Sequence, residues 1–306
     1  MAPSNGPASW LIRSVALVSV LALLCLGLST TPSSATGLLR VTFIDVGQGD
    51  AAWLNTPDGW DILIDGGPES AGADLVSYLR SQGVTDIEVM VLTHPHADHV
   101  GGLVTVLENL EVDLVLSNCQ DYATDIYEDF ESLIDSEAIP LSCVRDGDSF
   151  LWGGYVTAVA VHPSEPLMPS TGSDVNNKSL VFRVTWEAID FLFTGDIEAE
   201  AEAEILGRSE AVDAELLKVA HHGSDSSSTM AFLAAVGPSQ AIISVGATNP
   251  YGHPGSEALQ HLRDAGAIVY RTDLHGNILV ETDGTSYTVQ PQRYLRVRMP
   301  LVVRGF

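Results

Sequence analysis

The stretch that most restricts what this chain can fold into is Thr93-His94-Pro95-His96-Ala97-Asp98-His99-Val100-Gly101-Gly102. It places three of the nine histidines and a carboxylate within six positions, directly behind the largely apolar run 87–92. A short apolar run bounded by turn residues reads as a buried strand, so the cluster is delivered at a strand end. In extended backbone, residues two apart point to the same side. That brings His94 and His96 together, while Asp98 and His99 follow in a turn that can face a second ion. Imidazole and carboxylate donors suit Zn(II), Mn(II) or Fe(II) rather than Ca(II). The run therefore predicts a metal site.

Two other polar groups close apolar runs. Asp196 follows the run 189–194 and a turning glycine, where a carboxylate can bridge two ions; it can equally cap the helix predicted over 198–206. His221-His222 closes the strand predicted over 215–220. All three clusters are expected on one edge of a sheet. The chain has only two lysines, Lys178 and Lys218, and each lies beside such a cluster. In a chain that otherwise avoids lysine they are expected to serve the site, with coincidence as the alternative for Lys178.

Hydrophobic periodicity orders the rest. Strands are expected over 38–45, 51–54, 60–65, 87–92, 112–116, 141–144, 155–161, 179–186, 189–194, 215–220, 241–245 and 268–271. A closing hairpin is expected over 276–289. Helical spacing covers Leu75, Tyr78 and Leu79, then 104–110, 125–139, 198–206, 230–236 and 256–265, with a long loop at 164–177. Hairpins in both halves and interleaved helices predict one α/β domain of two helix-covered sheets. His162 stands alone and is expected to be structural. Residues 291–306 hold Arg293, Arg296, Arg298 and Arg304, either an edge strand or a loose tail.

Forty acidic residues against fourteen basic ones give a formal net charge of -26. Such a charge opposes general binding to polyanions or anionic membranes, so no extended nucleic-acid surface is expected. Residues 10–28 are almost wholly apolar, but the part after Arg13 is shorter than the ~20 residues of a membrane span. Small residues follow at 29–35. Residues 1–36 thus read as an export signal cut near Ala35, with an uncleaved anchor at 10–28 as the alternative. Leu24 before Cys25 argues against lipidation. Without the signal the protein would be secreted or extracytoplasmic and free of the membrane. It would keep Cys119 and Cys143, for which an oxidising compartment permits a disulfide. Two buried thiols are the alternative, because spacing alone does not bring the Cα atoms close.

With its His-x-His-x-Asp-His core, the run 93–102 resembles the signature of the metallo-β-lactamase fold superfamily. The segments 43–51, 176–181, 193–196, 217–224 and 251–254 narrow the likeness. They are similar to the hydrolase domain of the ComEC-type competence proteins and its stand-alone relatives, over roughly residues 38 to 290. The resemblance implies an αββα sandwich over 37–290 with metal ions at one edge. It implies His94 and His96 on a first ion, Asp98 and His99 on a second, and Asp196 between them. One of His221 and His222 completes the second site; His222 precedes a glycine and is the expected ligand, with His221 facing substrate and the reverse assignment open. Where many relatives supply a further histidine this chain has Asn176-Asn177, which predicts a looser first site and one or two ions, zinc first and manganese as the alternative.

A metal-dependent phosphodiesterase is the expected activity, acting on a small diester or a short nucleic acid. Two such ions, ~3.5–4 Å apart, acidify a water and clamp a phosphate. Asp98, Asp196 and His221 are the expected catalytic groups, and Asn177, Lys218, Ser224 and His253 the expected phosphate contacts. Lactone or β-lactam hydrolysis on the same ions, or a non-catalytic secreted binding module, are the competing readings.

Overall fold

Period-two alternation of large apolar side chains builds this molecule in layers. In the computed structural model, which describes residues 37–168 and 171–293, the chain opens with an antiparallel meander of β1 (Leu39–Phe43), β2 (Ala52–Asn55) and β3 (Asp61–Ile64). Then follow α1 (Gly72–Ser81), β4 (Asp86–Ile87), β5 (Val89–Leu92), α2 (Ala97–Leu107), β6 (Glu111–Val112), β7 (Val115–Ser117), α3 (Asp125–Ser136) and β8 (Leu141–Cys143). Strands β3, β5, β7 and β8 run parallel, while β4 and β6 form a small pair of their own.

The second half begins with the meander β9 (Ser149–Trp152), β10 (Val156–His162), β11 (Val181–Trp186) and β12 (Ile189–Phe193). It continues in parallel through α4 (Ala199–Gly207), β13 (Leu216–Lys218), α5 (Met230–Val236), β14 (Gln240–Ile243), α6 (Ser256–Asp264) and β15 (Ile268–Arg271). After the short α7 (Thr272–His275), β16 (Ile278–Thr282) and β17 (Tyr287–Pro291) return to the first sheet, where Leu39 faces Thr282. The sheets run β17-β16-β1-β2-β3-β5-β7-β8 and β15-β14-β13-β12-β11-β10-β9.

The alternation decides which layer each residue joins. Val89 and Val91 of β5 face the core between the sheets, while Met90 and Leu92 face the helices α1 to α3. Across the gap, Phe191 and Phe193 of β12 enter the same inter-sheet core, and Leu192 packs under α4 to α6. Phe43 and Phe193 stack at 5.9 Å between the sheets. Each such burial contributes about 1.5–3 kcal/mol, so strand pairing and sheet stacking reinforce one another. The result is the αββα sandwich.

Some boundaries differ from the sequence reading. The run 87–92 is two strands, because Glu88 turns aside and its carboxylate accepts the Asp61 N–H at 2.6 Å. Strand β9 has a largely exposed face and weak periodicity, which hid it. Helix α2 begins at Ala97 rather than 104, inside the histidine run. Strand β17 carries the sheet to Pro291, one residue past the expected domain end. The expected export signal or anchor and residues 294–306 lie outside the described residues. Among the described residues no helix is long and apolar enough to cross a membrane.

Candidate metal centre

Parallel strands end together, and the crevice beyond their carboxyl ends is where α/β sheets place ligands. Here β5 delivers His94 and His96, β12 delivers Asp196, and β13 delivers His221 and His222. Asp98 and His99 do not sit in a turn. They occupy the first turn of α2, where the helix dipole favours a carboxylate, and Asp98 faces the opening while His99 is fully buried. The helix can come this close because it carries Gly102: a side chain there would collide with the Gly66 carbonyl, so the Asp65-Gly66-Gly67 turn packs directly on α2. Gly66 N–H donates to the His99 carbonyl at 2.8 Å and Gly102 N–H to that of Gly67 at 2.9 Å.

Four donors meet. His222 Nε2 lies 3.3 Å from Asp98 Oδ2 and 3.4 Å from Asp196 Oδ2, and His99 Nε2 lies 3.3 Å from the same Asp196 oxygen. A tetrahedral ion with 2.0–2.1 Å bonds to nitrogen and oxygen sets its ligands about 3.3–3.4 Å apart. Both Nε2 atoms are buried without a hydrogen-bond partner, as is Asp196 Oδ1. Orphaned buried polar atoms are costly, and a cation at their centre removes the cost. Burial disfavours protonation of His99 and His222, yet Asp196 with Asp65 and Asp50 outweighs it and holds both pKa values well above the usual imidazole range. Burial likewise works against ionising Asp196, but His222 and His99 keep its pKa well below the ordinary carboxylate value. The cluster attracts positive charge and can hold a metal ion.

The other half is less assembled. His94 Nε2 lies 3.8 Å from Asp196 Oδ2 and 3.0 Å from His96 Nδ1. Burial, then the neighbouring His99, pushes the His94 pKa well down, so its ring is neutral and able to ligate. Asn176 lines the same cleft; its amide donates to Glu198 at 3.2 Å and its Oδ1 is buried without a partner.

Behind the ligands stands a layer that sequence reading missed. Asp65 accepts from His99 Nδ1 at 2.9 Å and is itself held by Thr93 through N–H at 2.8 Å and hydroxyl at 2.7 Å. Asp50 lies 3.1 Å from His222 Nδ1. His222 Nδ1 also meets the Ser244 carbonyl at 3.1 Å, and such outer partners, Asp65 for His99 and Ser244 for His222, fix the ligand tautomer and orientation. The only local signal of the two carboxylates is position, Asp65 at the end of β3 and Asp50 in a glycine-rich turn. His221 and His222 both adopt left-handed backbone, at φ 48° and 54°. That conformation is sparsely populated for residues other than glycine and collects at functional sites.

A model of the metallo-beta-lactamase superfamily matches residues 44–118, which include the histidine run and its helix. The chain carries a metallo-beta-lactamase superfamily domain. It is 30% identical over 256 residues to ComE operon protein 3 of Bacillus subtilis, covering 78% of this chain and 32% of that protein. It is also 30% identical over 239 residues to competence protein ComA of Neisseria gonorrhoeae, covering 77% and 31%. Both are ComEC-type competence proteins, and this chain spans about a third of the length of these curated relatives. Among solved structures, Igni18, a metallo hydrolase from Ignicoccus hospitalis, shares the fold with a TM-score of 0.52 at 16% identity, covering 79% of this chain and 98% of that one.

In this metallo-beta-lactamase domain the centre opens into a cleft of about 360 Å³ lined by Asp98, Asp196, His221 and His253 among others. His221 stands at its wall, its Nδ1 3.2 Å from Glu198 Oε1. Three expected substrate contacts do not face the cleft. Lys218 is buried, its ammonium 2.6 Å from Asp50 Oδ2 and donating to the Val219 carbonyl at 2.9 Å. Asn177 is fully buried and accepts the Glu198 N–H at 2.8 Å. Ser224 is buried, and its hydroxyl pairs with that of Ser226 at 2.9 Å. Asp196 is not a helix cap either: Glu198 holds that position, and the Asp196 N–H donates to Ser179 Oγ at 3.2 Å. The Asn176-to-Ser179 segment is therefore scaffolding for the Asp196 loop. His162, fully buried, meets the Asn177 carbonyl at 2.8 Å and is structural.

Proposed function

We propose that this metallo-hydrolase domain is a phosphodiesterase acting on a small diester or a short nucleic acid. The observation that carries the reading is the run of ligand contacts at 3.3–3.4 Å that joins Asp98, His222, Asp196 and the buried His99 at an open cleft. A divalent ion held there supplies Lewis acidity and an activated water at neutral pH. Asp196 would help hold such an ion, and its Oδ1, buried and unpartnered, is the oxygen left free for it. With Nδ1 of His221 3.2 Å from Glu198, Nε2 is the ring atom assigned to exchange a proton with the leaving oxygen. No Lys or Arg is among the described residues lining the cleft, which favours a ligand with few phosphates over a long polyanion. The Cys119–Cys143 bond supports the export reading, since such bonds persist in oxidising compartments.

The full-length protein, loaded with zinc or manganese, is expected to hydrolyse bis-p-nitrophenyl phosphate and to leave a chromogenic cephalosporin intact. Hydrolysis of the cephalosporin alone would replace this reading with the β-lactam one. His222→Ala should lower diester turnover by more than the 10- to 100-fold typical of outer partners. No diester turnover by the metal-loaded wild type, with metal content unchanged in Asp98→Ala, would instead favour a non-catalytic module.

A further inference from the structure

Tyr251 is the most exposed of the large apolar side chains described, at 68%, and it stands at the cleft that holds the metal ligands. A lone exposed tyrosine is ordinary; this one is held in place. The Asn249 side-chain amide donates to the Gly246 and His253 carbonyls at 2.8 Å each, and its oxygen accepts the His253 N–H at 3.0 Å. These bonds brace the loop that carries Tyr251. Its ring stacks on that of His253, with centroids 5.7 Å apart at an interplanar angle of 29°, so the histidine backs the tyrosine while most of the ring stays open to solvent.

A second aromatic side chain, Tyr122, lines the same cleft and meets the His96 ring edge-on at 5.6 Å. Gln48 adds a polar group. Its Oε1 accepts the Gly246 N–H at 3.2 Å, which assigns the remaining amide atom, Nε2, as a donor; that Nε2 is buried and has no hydrogen-bond partner, and Gln48 lines the cleft. Flat aromatic surface, an unused N–H donor, and no cationic side chain among the described lining residues together describe a recognition chemistry. It suits a planar ring with a carbonyl on its edge, attached to an anionic ester that the metal centre receives.

We propose that Tyr251, with the Gln48 amide of the same cleft, forms a subsite for a single unpaired nucleobase next to the phosphate group. The assignment rests on the phosphodiesterase reading and names its substrate as a base-bearing ester. Stacking on a tyrosine supplies affinity that does not depend on positive charge, which a chain of net charge -26 otherwise lacks. The base must be unpaired, because a paired base keeps both faces within its own helix.

Calorimetric titration of the full-length, metal-loaded protein tests this without requiring turnover. Thymidine 5′-monophosphate is expected to bind at least about ten-fold tighter than 2-deoxyribose 5-phosphate, which has a hydroxyl in place of the base. Tyr251→Ala should abolish most of that preference, Tyr251→Phe should keep it, and Gln48→Ala should reduce it several-fold. Equal affinity of the wild type for the two ligands overturns the subsite, as does a Tyr251→Ala protein that retains the preference. Phenyl phosphate binding as tightly as the nucleotide overturns the nucleobase assignment. A base preference in a protein that cleaves no diester would fault the phosphodiesterase reading and leave the subsite standing.

Discussion

The carboxylates behind the histidines govern the centre as much as the ligands do. Asp65 bonds His99 on the side away from the ion, so Asp65→Asn removes a charge but little volume. It should weaken metal binding roughly 10- to 100-fold, measured by competition with a chromophoric chelator, with the fold retained. Proton linkage gives a second expectation. Against burial, Asp196, with Asp65 and Asp50, holds the folded pKa values of His99 and His222 well above the ordinary 6.5, so these rings keep their protons more tightly than a free imidazole. Their charge pairing is complete below that ordinary value and is lost as pH climbs through the raised ones. A cation must displace those protons, so binding should release them and tighten as pH rises. Calorimetry in buffers of different ionisation enthalpy measures this, and the absence of proton release would contradict it. At this scale the sequence was informative about residue type and weak about direction. His94, His99, Asp98, Asp196 and His222 meet because each ends a strand or opens a helix on one edge. Lys218 misled because scarcity marks a lysine as useful without saying which way it points, and it points inward to Asp50.

Among the elements, α2 and the strand ends do the positioning, and loops tie them in place. Cys119 and Cys143 are joined, with Cα atoms 5.3 Å apart, linking the end of β7 to β8. The closed segment spans 24 positions, for which loop-closure entropy corresponds to about 3.5 kcal/mol. Reduction should lower the free energy of unfolding by that order, read from denaturant curves with and without a thiol reductant. The effect should reach the cleft as well, since Asn118 donates to the Lys178 carbonyl at 2.7 Å and Gln120 to that of Val175 at 3.2 Å, on either side of Asn176. Hydrophobic spacing anticipated most helices and strands, and for α5 the bounds coincide at Met230–Val236. It failed where polar chemistry overrides periodicity: at Glu88, which breaks a strand to serve Asp61, and at Ala97, where helix begins within a histidine-rich run whose residue types favour no helix.

For the whole molecule, the decisive fact is that the ligands come from both sheets. His94 to His99 belong to the first, Asp196 and His222 to the second. An ion between them stabilises only the folded arrangement, by about 4 kcal/mol at a thousand times its dissociation constant. Chelation should therefore lower the melting temperature, and re-addition of zinc or manganese should restore it; a melting temperature indifferent to chelator would show that the sheets hold without the ion. The layered architecture was readable from interleaved hairpins and helices, whereas the order of strands was not, because nothing local to β16 says that it pairs with the first strand rather than with its neighbour β15. That pairing bears on how the protein is made. Leu39 waits for Thr282, so a chain synthesised from its N-terminus carries β1 with one bare edge until β16 has been made. An open edge is a template for other chains, and the hairpin of β16 and β17 is the one that closes it.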